Sequence, residues 1–409
     1  MKRLLQASVL GASLIALSNT LYANESINLK QVIQRAIDNH PNIGASEYYL
    51  EASEKQLQQS KKIDNPTLSI EREDFGLSSP EQAKTRLGIS IPINWVERRA
   101  RTATANVEIK SSRSKLQSAK AQLIKDVSHQ FITTLGKQEQ QKLIREEVSI
   151  ANSVLEIVKG RAQAGRISPV EETKAALTLN QAILQEQDIN VALNRSKLKL
   201  KELLSINFEN GMVLINDLSI LTSLPELNIL FQQIPRSLAY QRWAIEAEKQ
   251  GTMIQHTQAE QWPEISFSAG VTQFESDGKQ AMDFSMDIEI PMFDRNISQV
   301  DAEKANLLAI KTEQKSLAIQ LRQSIIETYF NWQAALNKLN TLKKQIIPQA
   351  QEIFDSVQDS YTLGKLTYLD VLDAERSLVA ARKQYIESTV DYHHAKTTMD
   401  FLLYSLSNG

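Results

Sequence analysis

Four short stretches of the chain alternate apolar and polar residues with a period of two. In "TLSIERED", Leu68 and Ile70 oppose Ser69, Glu71 and Glu73. In "TRLGISIPI", Leu87, Ile89 and Ile91 oppose Arg86, Gly88 and Ser90, after a loop holding Gly76 and Pro80. The pattern recurs far downstream. Ile265, Phe267, Ala269 and Val271 face away from Glu264, Ser266, Ser268 and Thr272. Met282, Phe284, Met286, Ile288 and Ile290 face away from Asp283, Ser285, Asp287 and Glu289. A period of two with one apolar face predicts β-strands, here two hairpins. Soluble hairpins packed on a core would fit the alternation alone. The polar faces, however, carry acids at nearly every turn, as a wet lumen would, and the chain offers no compact partner for the apolar faces. Strands of about 9–11 residues, apolar outside and polar inside, are the pattern of a transmembrane barrel. On that reading Ile288 points at lipid near the bilayer midplane. Four strands cannot close a barrel, and an open edge is forbidden in lipid. Copies must pool their strands, two giving eight or three giving twelve.

Between the hairpins the period lengthens to that of helices. Leu29 to about Lys62 is helical apart from a turn signal at His40-Pro41, and Asn65-Pro66 breaks it before the first strand. Val96 to Ala162 contains no proline, and Ile297 to Leu363 has Pro348 as its one strong interruption. At 1.5 Å per residue, about 65 residues of helix reach roughly 100 Å. Each long helix turns at a glycine, Gly165 or Gly364, and returns as a shorter one, Pro169 to Ser205 or Tyr368 to Ser405. Pro92 and Pro291 sit where strand gives way to helix, which tolerates a missing N–H. A soluble fibrous coiled coil would explain the helices and leave the strands unexplained.

The chain is written twice. At an offset of 199, Ile89, Ile91 and Pro92 fall on Ile288, Ile290 and Pro291, Phe131 on Phe330, Val158 on Val357 and Gly165 on Gly364. Ala175, Leu179 and Ala182 meet Ala374, Leu378 and Ala381. This predicts a first repeat over 24–204, a less regular join over 205–227, and a second repeat over 228–409.

Composition narrows the function. Lys2 and Arg3 precede an apolar run from Leu4 to Leu17 and then Ala23, which predicts an export signal over 1–23. The run is short for a membrane anchor, and nothing else approaches a transmembrane helix. There are no cysteines, so no disulfide framework and no lipidated N-terminal cysteine is expected. The formal net charge of −2 suggests no nucleic-acid partner. No nucleophile motif, phosphate loop or metal signature is present, so neither an enzyme nor a cofactor is expected. The histidines are His40, His129, His256, His393 and His394, with no i,i+4 pair. His393-His394 reads as a solvated helix end. Arg98, Arg99 and Arg101 read as a solvated first helical turn or a contact with lipid headgroups.

Five segments, "NPTLSIE", "IPINWVERRAR", "AGRISPVEETKAAL", "IPMFDRNISQVDAEKA" and "GKLTYLDVLDAERSLVAAR", together resemble the TolC family of outer-membrane efflux proteins, most closely its heavy-metal, CzcC-like branch. The resemblance covers essentially the whole mature chain. It implies a mixed α and β protomer that gives four strands to a trimeric 12-stranded transmembrane barrel and long helices to a periplasmic tunnel. The homotrimer would sit in outer-membrane lipid of a Gram-negative cell as the passive exit duct of a tripartite pump. A periplasmic adaptor would join it to an inner-membrane RND-type transporter carrying divalent heavy-metal cations; the alternative is a drug-efflux or type I secretion outer-membrane channel. The resemblance further implies adaptor docking at the tips, through Gly165, Arg166, Gly364 and Lys365.

The stretch "YTLGKLTYLDVLDAE" carries the remaining expectations. Asp370 and Asp373 share a helical face at i and i+3, where like charges mildly oppose a helix, so a single chain gains nothing from them. By resemblance they line the periplasmic entrance, with Glu171 at an equivalent acid of the first turn and Tyr361 helping to hold the entrance closed. Rings of acids build cation-favouring constrictions. Leu366 stands where well-known family members carry an arginine that helps lock the entrance.

Overall fold

Two kinds of apolar surface, one flat and one a stripe, set the layout. The computed structural model describes residues 26–73, 83–205, 213–215, 218 and 220–404. The export signal and the loop holding Gly76 and Pro80 lie outside the described residues. In chain order the elements are β1 (Ser26–Ile27), α1 (Leu29–Asn39), α2 (Pro41–Ser60), β2 (Thr67–Glu73), β3 (Lys84–Ile93), α3 (Trp95–Gln163) and α4 (Pro169–Leu204). There follow β4 (Val213–Leu214), α5 (Leu227–Gln233), α6 (Leu238–Ala259), β5 (Glu264–Phe274), β6 (Gln280–Glu289), α7 (Ile297–Thr341), α8 (Ile347–Thr362) and α9 (Tyr368–Leu402).

The four strands form one antiparallel sheet in the order β2-β3-β5-β6. The register aligns Leu68, Ile89, Ala269 and Phe284 in one row and Ile70, Leu87, Val271 and Met282 in the next, so the apolar face runs unbroken across the sheet. Most of these side chains are exposed in the single chain. The opposite face is tied by charge. Arg86 reaches over β5 to donate to Asp283 at 2.6 Å and lies 3.6 Å from Glu71. Gly270 makes this crossing possible, because a Cβ there would sit 3.0 Å from both Arg86 Nε and Asp283 Oδ1. At the foot of the sheet the rings of Trp95 and Trp262 stand 6.4 Å apart, as aromatics do at a membrane interface. Ile288 pairs with Ile265 one residue from the end of its strand, so it lies near that interface rather than at mid-depth. Phe284 is the mid-strand residue.

Below the sheet the helices form a layer in a matching order. Alpha-helix α3, 69 residues long, is flanked first by α2 and then by α4 on one side. On its other side it meets α6 and then α9, which pack in turn on α7 and α8. Two cores anchor the middle. In one, Val32, Ile43, Phe131, Leu200 and Leu214 meet, clamped where β4 of the join pairs in parallel with β1. In the other, Leu230, Ile325, Trp332, Leu339 and Tyr392 meet, and the Tyr392 hydroxyl donates to the Thr222 carbonyl at 2.9 Å.

The constant offset between the repeats fails in α7. Phe131 is fully buried, whereas Phe330 is 55% exposed. Buried Leu321 and Ile325 instead match buried Leu123 and Val127, an offset of 198. The reason is the π-helical turn Leu342–Ile346 just before Pro348. A π turn accommodates one extra residue inside a helix, so the second repeat slips by one above it.

The strand assignment has a direct test. Phe284→Arg should cost about 2–4 kcal/mol at the bilayer midplane and prevent insertion, whereas the neighbouring Ser285→Arg, on the polar face, should insert. Equal behaviour of the two variants in an outer-membrane fractionation would overturn the assignment of faces.

Candidate functional site at the helical tips

Both tips are built the same way. The α3 helix ends in a Schellman motif, with Gly165 N–H bonding Ala162 O at 2.9 Å and Arg166 N–H bonding Arg161 O at 3.0 Å. The second tip repeats this with Gly364 N–H to Tyr361 O at 2.8 Å and Lys365 N–H to Ser360 O at 3.0 Å. The motif needs a left-handed residue, supplied at φ +70° by Gly165 and φ +79° by Gly364. Arg166 and Lys365 are exposed just beyond. Each return helix is then capped, by Ser168 on Val170 N–H and by Thr367 on Asp370 N–H.

Asp370 does work within the single chain, contrary to the expectation from its spacing to Asp373. It is the third residue of α9, and its carboxylate accepts from Thr367 N–H at 2.8 Å and Thr367 Oγ1 at 2.6 Å, completing a capping box. Those hydrogen bonds hold its carboxyl below the usual range. A carboxylate in the first turn also complements the helix dipole, which offsets the repulsion from Asp373. Asp373 is exposed one turn further on.

Tyr361 sits apart from these acids. It is 2% exposed, packed with Val154, Val158, Tyr368 and Val371, and burial pushes its phenol up. Glu171, partly buried, lies within electrostatic reach of it. The residue that joins the two tips is one that sequence reasoning missed. Arg161, in the last turn of α3, donates to the Tyr361 carbonyl at 2.7 Å and stacks its guanidinium 4.6 Å from the Tyr361 ring. A basic residue closing a long helix hints at a carbonyl partner, but the one it finds is 200 positions away.

The histidines also correct the sequence reading. His393 and His394 are half-buried, not a solvated end, and His393 bonds the Leu218 carbonyl at 3.0 Å. His394 stacks on His129 with ring centroids 4.6 Å apart. Burial, with His394 nearby, pushes His129 down to about 4. Among the described residues no group of three or more His, Cys, Asp or Glu is arranged to hold a metal ion.

An apolar sheet with bare outer edges, above a helical layer ending in two matched tips, is an architecture that can be compared with known proteins. The family model described as outer membrane efflux protein matches residues 32–205 and again 233–403. The chain belongs to the outer membrane efflux protein family. This agrees with the TolC-family resemblance and makes it an outer-membrane efflux channel of the Gram-negative envelope, with its helices extending into the periplasm. It is 25% identical to the cobalt-zinc-cadmium resistance protein CzcC of Cupriavidus metallidurans over 379 residues, covering 92% of this chain and 90% of that one. It is 29% identical to the cation efflux system protein CusC of Escherichia coli over 162 residues, covering 36% and 33% of the two chains. The fold matches the crystal structures of VceC from Vibrio cholerae (TM-score 0.75, 16% identity, 92% and 96% covered) and of CusC (TM-score 0.70, 17% identity, 94% and 95% covered).

The tie between the tips predicts a selective lesion. In Arg161→Ala, trypsin should cut after Lys365 several-fold faster while cutting after Arg166 keeps its rate. Equal acceleration at both sites, or none, would show that Arg161 does not hold the second tip.

Proposed function

We propose that this channel is the exit duct of a tripartite pump for divalent heavy-metal cations, working as a homotrimer with a periplasmic adaptor and an inner-membrane RND-type transporter. The supporting observation is that sheet and helical layer are open at the same two ends. Strands β2 and β6 have no outer partner among the described residues. Along α4, Val170, Leu177, Leu184, Val191 and Leu198 form a bare stripe at every seventh residue. Along α7 and α8, Ile319, Ile326, Phe330, Ile346 and Ile353 are bare as well. The first-repeat counterparts of Ile319, Ile326, Phe330 and Ile353, which are Ala121, Ser128, Ile132 and Val154, are buried. The α4 stripe of one copy therefore fits the α7–α8 stripe of the next, as β2 fits β6. Three copies give the 12 strands that family members imply, joined as two repeats, 24–204 and 228–409, around the 205–227 segment.

In the trimer, Asp370 and Asp373 become six carboxylates at the periplasmic entrance, with Glu171 and Tyr361 behind them holding it closed. The exposed tips, Gly165 with Arg166 and Gly364 with Lys365, are the surface for the adaptor. The metal assignment rests on similarity to CzcC across 90% of that protein's length. A similar likeness, 24% over 81% of its length, to the pyoverdine export outer membrane protein OpmQ of Pseudomonas aeruginosa favours organic cargo as the second reading.

Two measurements test this. Deleting the gene should sensitise the cell to zinc, cobalt, cadmium, nickel, copper or silver ions; sensitivity to antibiotics alone would transfer the channel to the drug-efflux class. In planar bilayers, Asp370→Ala with Asp373→Ala should reduce cation selectivity and relieve block by trivalent cations. Unchanged selectivity and block would put the two aspartates outside the conduction path.

A further inference from the structure

Among the described residues, Glu375 is the charged side chain that the fold hides most completely, at 5% exposure. It lies on the face of α9 that also buries Val371, Leu372, Ala374 and Leu378, and α9 packs by this part on α3 and α8. Its Oε1 has no hydrogen-bond partner, and neither has the buried Oε2 of half-buried Glu147 on α3. A buried carboxylate oxygen without a hydrogen-bond partner disfavours the ionised form, which pushes such a group toward binding a proton.

The surrounding charges do not rescue it. Arg376, next along α9, and Lys383, which lies near Glu147, both favour ionisation, but burial outweighs them. Arg382 is committed across the seam to Glu146 and to Gln351 of α8. The α8 helix turns Ala350, Phe354 and Val357 to α9, while its acids Glu352, Asp355 and Asp359 are exposed. A groove of 360 Å³ beside Glu147, reaching Asp188 of α4 together with Lys137 and Glu387, gives water a route to the seam. Burial, reinforced by Glu147, pushes Glu375 up to about 7, and burial raises Glu147 as well. The first repeat provides the contrast, because the position equivalent to Glu375 is Ala176.

We propose that Glu375, with Glu147 behind it, is a proton-binding site that sets how tightly α9 packs on α3, so that the periplasmic entrance loosens as its surroundings become less acidic. In the parted state Glu375 meets water and titrates at its ordinary 4.5, whereas in the packed state it titrates near 7. The packed state therefore holds its proton over that interval. The seam is at full strength below pH 4.5, weakens as pH rises to about 7, and is constant above. Across this window the local opening equilibrium rises by up to roughly two orders of magnitude. The proton site stands on the seam alone; its effect on the entrance rests on the channel reading above.

Amide hydrogen exchange in residues 371–380 of the purified full chain in detergent tests the site without requiring any current. The ratio of wild-type to Glu375→Gln exchange should be a few-fold at pH 5 and at least tenfold higher again at pH 7.5; taking ratios at each pH removes the intrinsic pH dependence. Glu147→Gln should reduce the rise. Should Glu375→Gln fold poorly, Glu375→Ala, which copies the first repeat, serves as the reference. A ratio that stays the same at both pH values overturns the proposal. In bilayers the same pH step should raise the open probability of wild type and not of Glu375→Gln. A rising exchange ratio with unchanged open probability would keep the proton site and overturn its link to the entrance.

Discussion

Everything in this chain follows from edges it cannot close alone. A strand in lipid must pair every N–H and C=O, because hydrocarbon offers no substitute for a lost hydrogen bond. The outer sides of β2 and β6 break that rule in one protomer, and the stripe on α4 repeats the problem in the helical layer with apolar surface in place of hydrogen bonds. One operation satisfies both, since β2 and α4 belong to the first repeat and β6, α7 and α8 to the second. The sheet and the layer beneath it are thus open in register. A fold that left the strands paired but the helices bare, or the reverse, could not be closed by copies of itself.

Duplication makes this geometry inexpensive to specify, and the departures from it gather in the second repeat. The two tips share one turn motif down to equivalent hydrogen bonds. The second repeat then adds a π turn above its tip, a capping box at Asp370, and a buried Glu375 where the first repeat has Ala176. Each change lies on the arm made of α7, α8 and α9. The first repeat contributes a single unbroken 69-residue helix, α3, against which that arm packs.

The sequence carried the strands, the turns and the repeat because each is written locally. A period of two over Ala281 to Ile290, or a glycine between two helical stretches at Leu363 to Lys365, needs no knowledge of distant residues. What stayed hidden depends on pairing across long separations. Arg161 meets Tyr361 only once the end of α8 reaches α3, and His129 meets His394 only once α9 lies along α3. The π turn was hidden for another reason. A one-residue slip leaves the composition of α7 unchanged, and the chance identity of Phe131 with Phe330 at the wrong offset masked it. Depth misled in the same way, since alternation tells which face Ile288 occupies but not how far along the strand the membrane ends. The capping role of Asp370 was legible in principle, as Thr367 precedes it by three residues, yet the acid at i+3 drew attention to repulsion instead of to the helix start.

The two seams of the helical layer differ in a way that matches their tasks. Within the chain, α9 presents Arg376 and Lys383 toward the seam that also holds Glu375, Glu147 and the Arg382–Glu146 pair. At the equivalent positions α4 carries Leu177 and Leu184, both bare. Aliphatic burial is non-directional and insensitive to pH and salt, which suits the contact proposed between separate chains. Charged groups in a partly dry seam are sensitive to both, and their energy changes sharply when water enters. Parting such a seam would leave the proposed assembly joined, because α3 and α9 belong to one backbone. A tunnel that must open and reclose without falling apart has reason to put its responsive charges inside each protomer and its plain apolar surface between them.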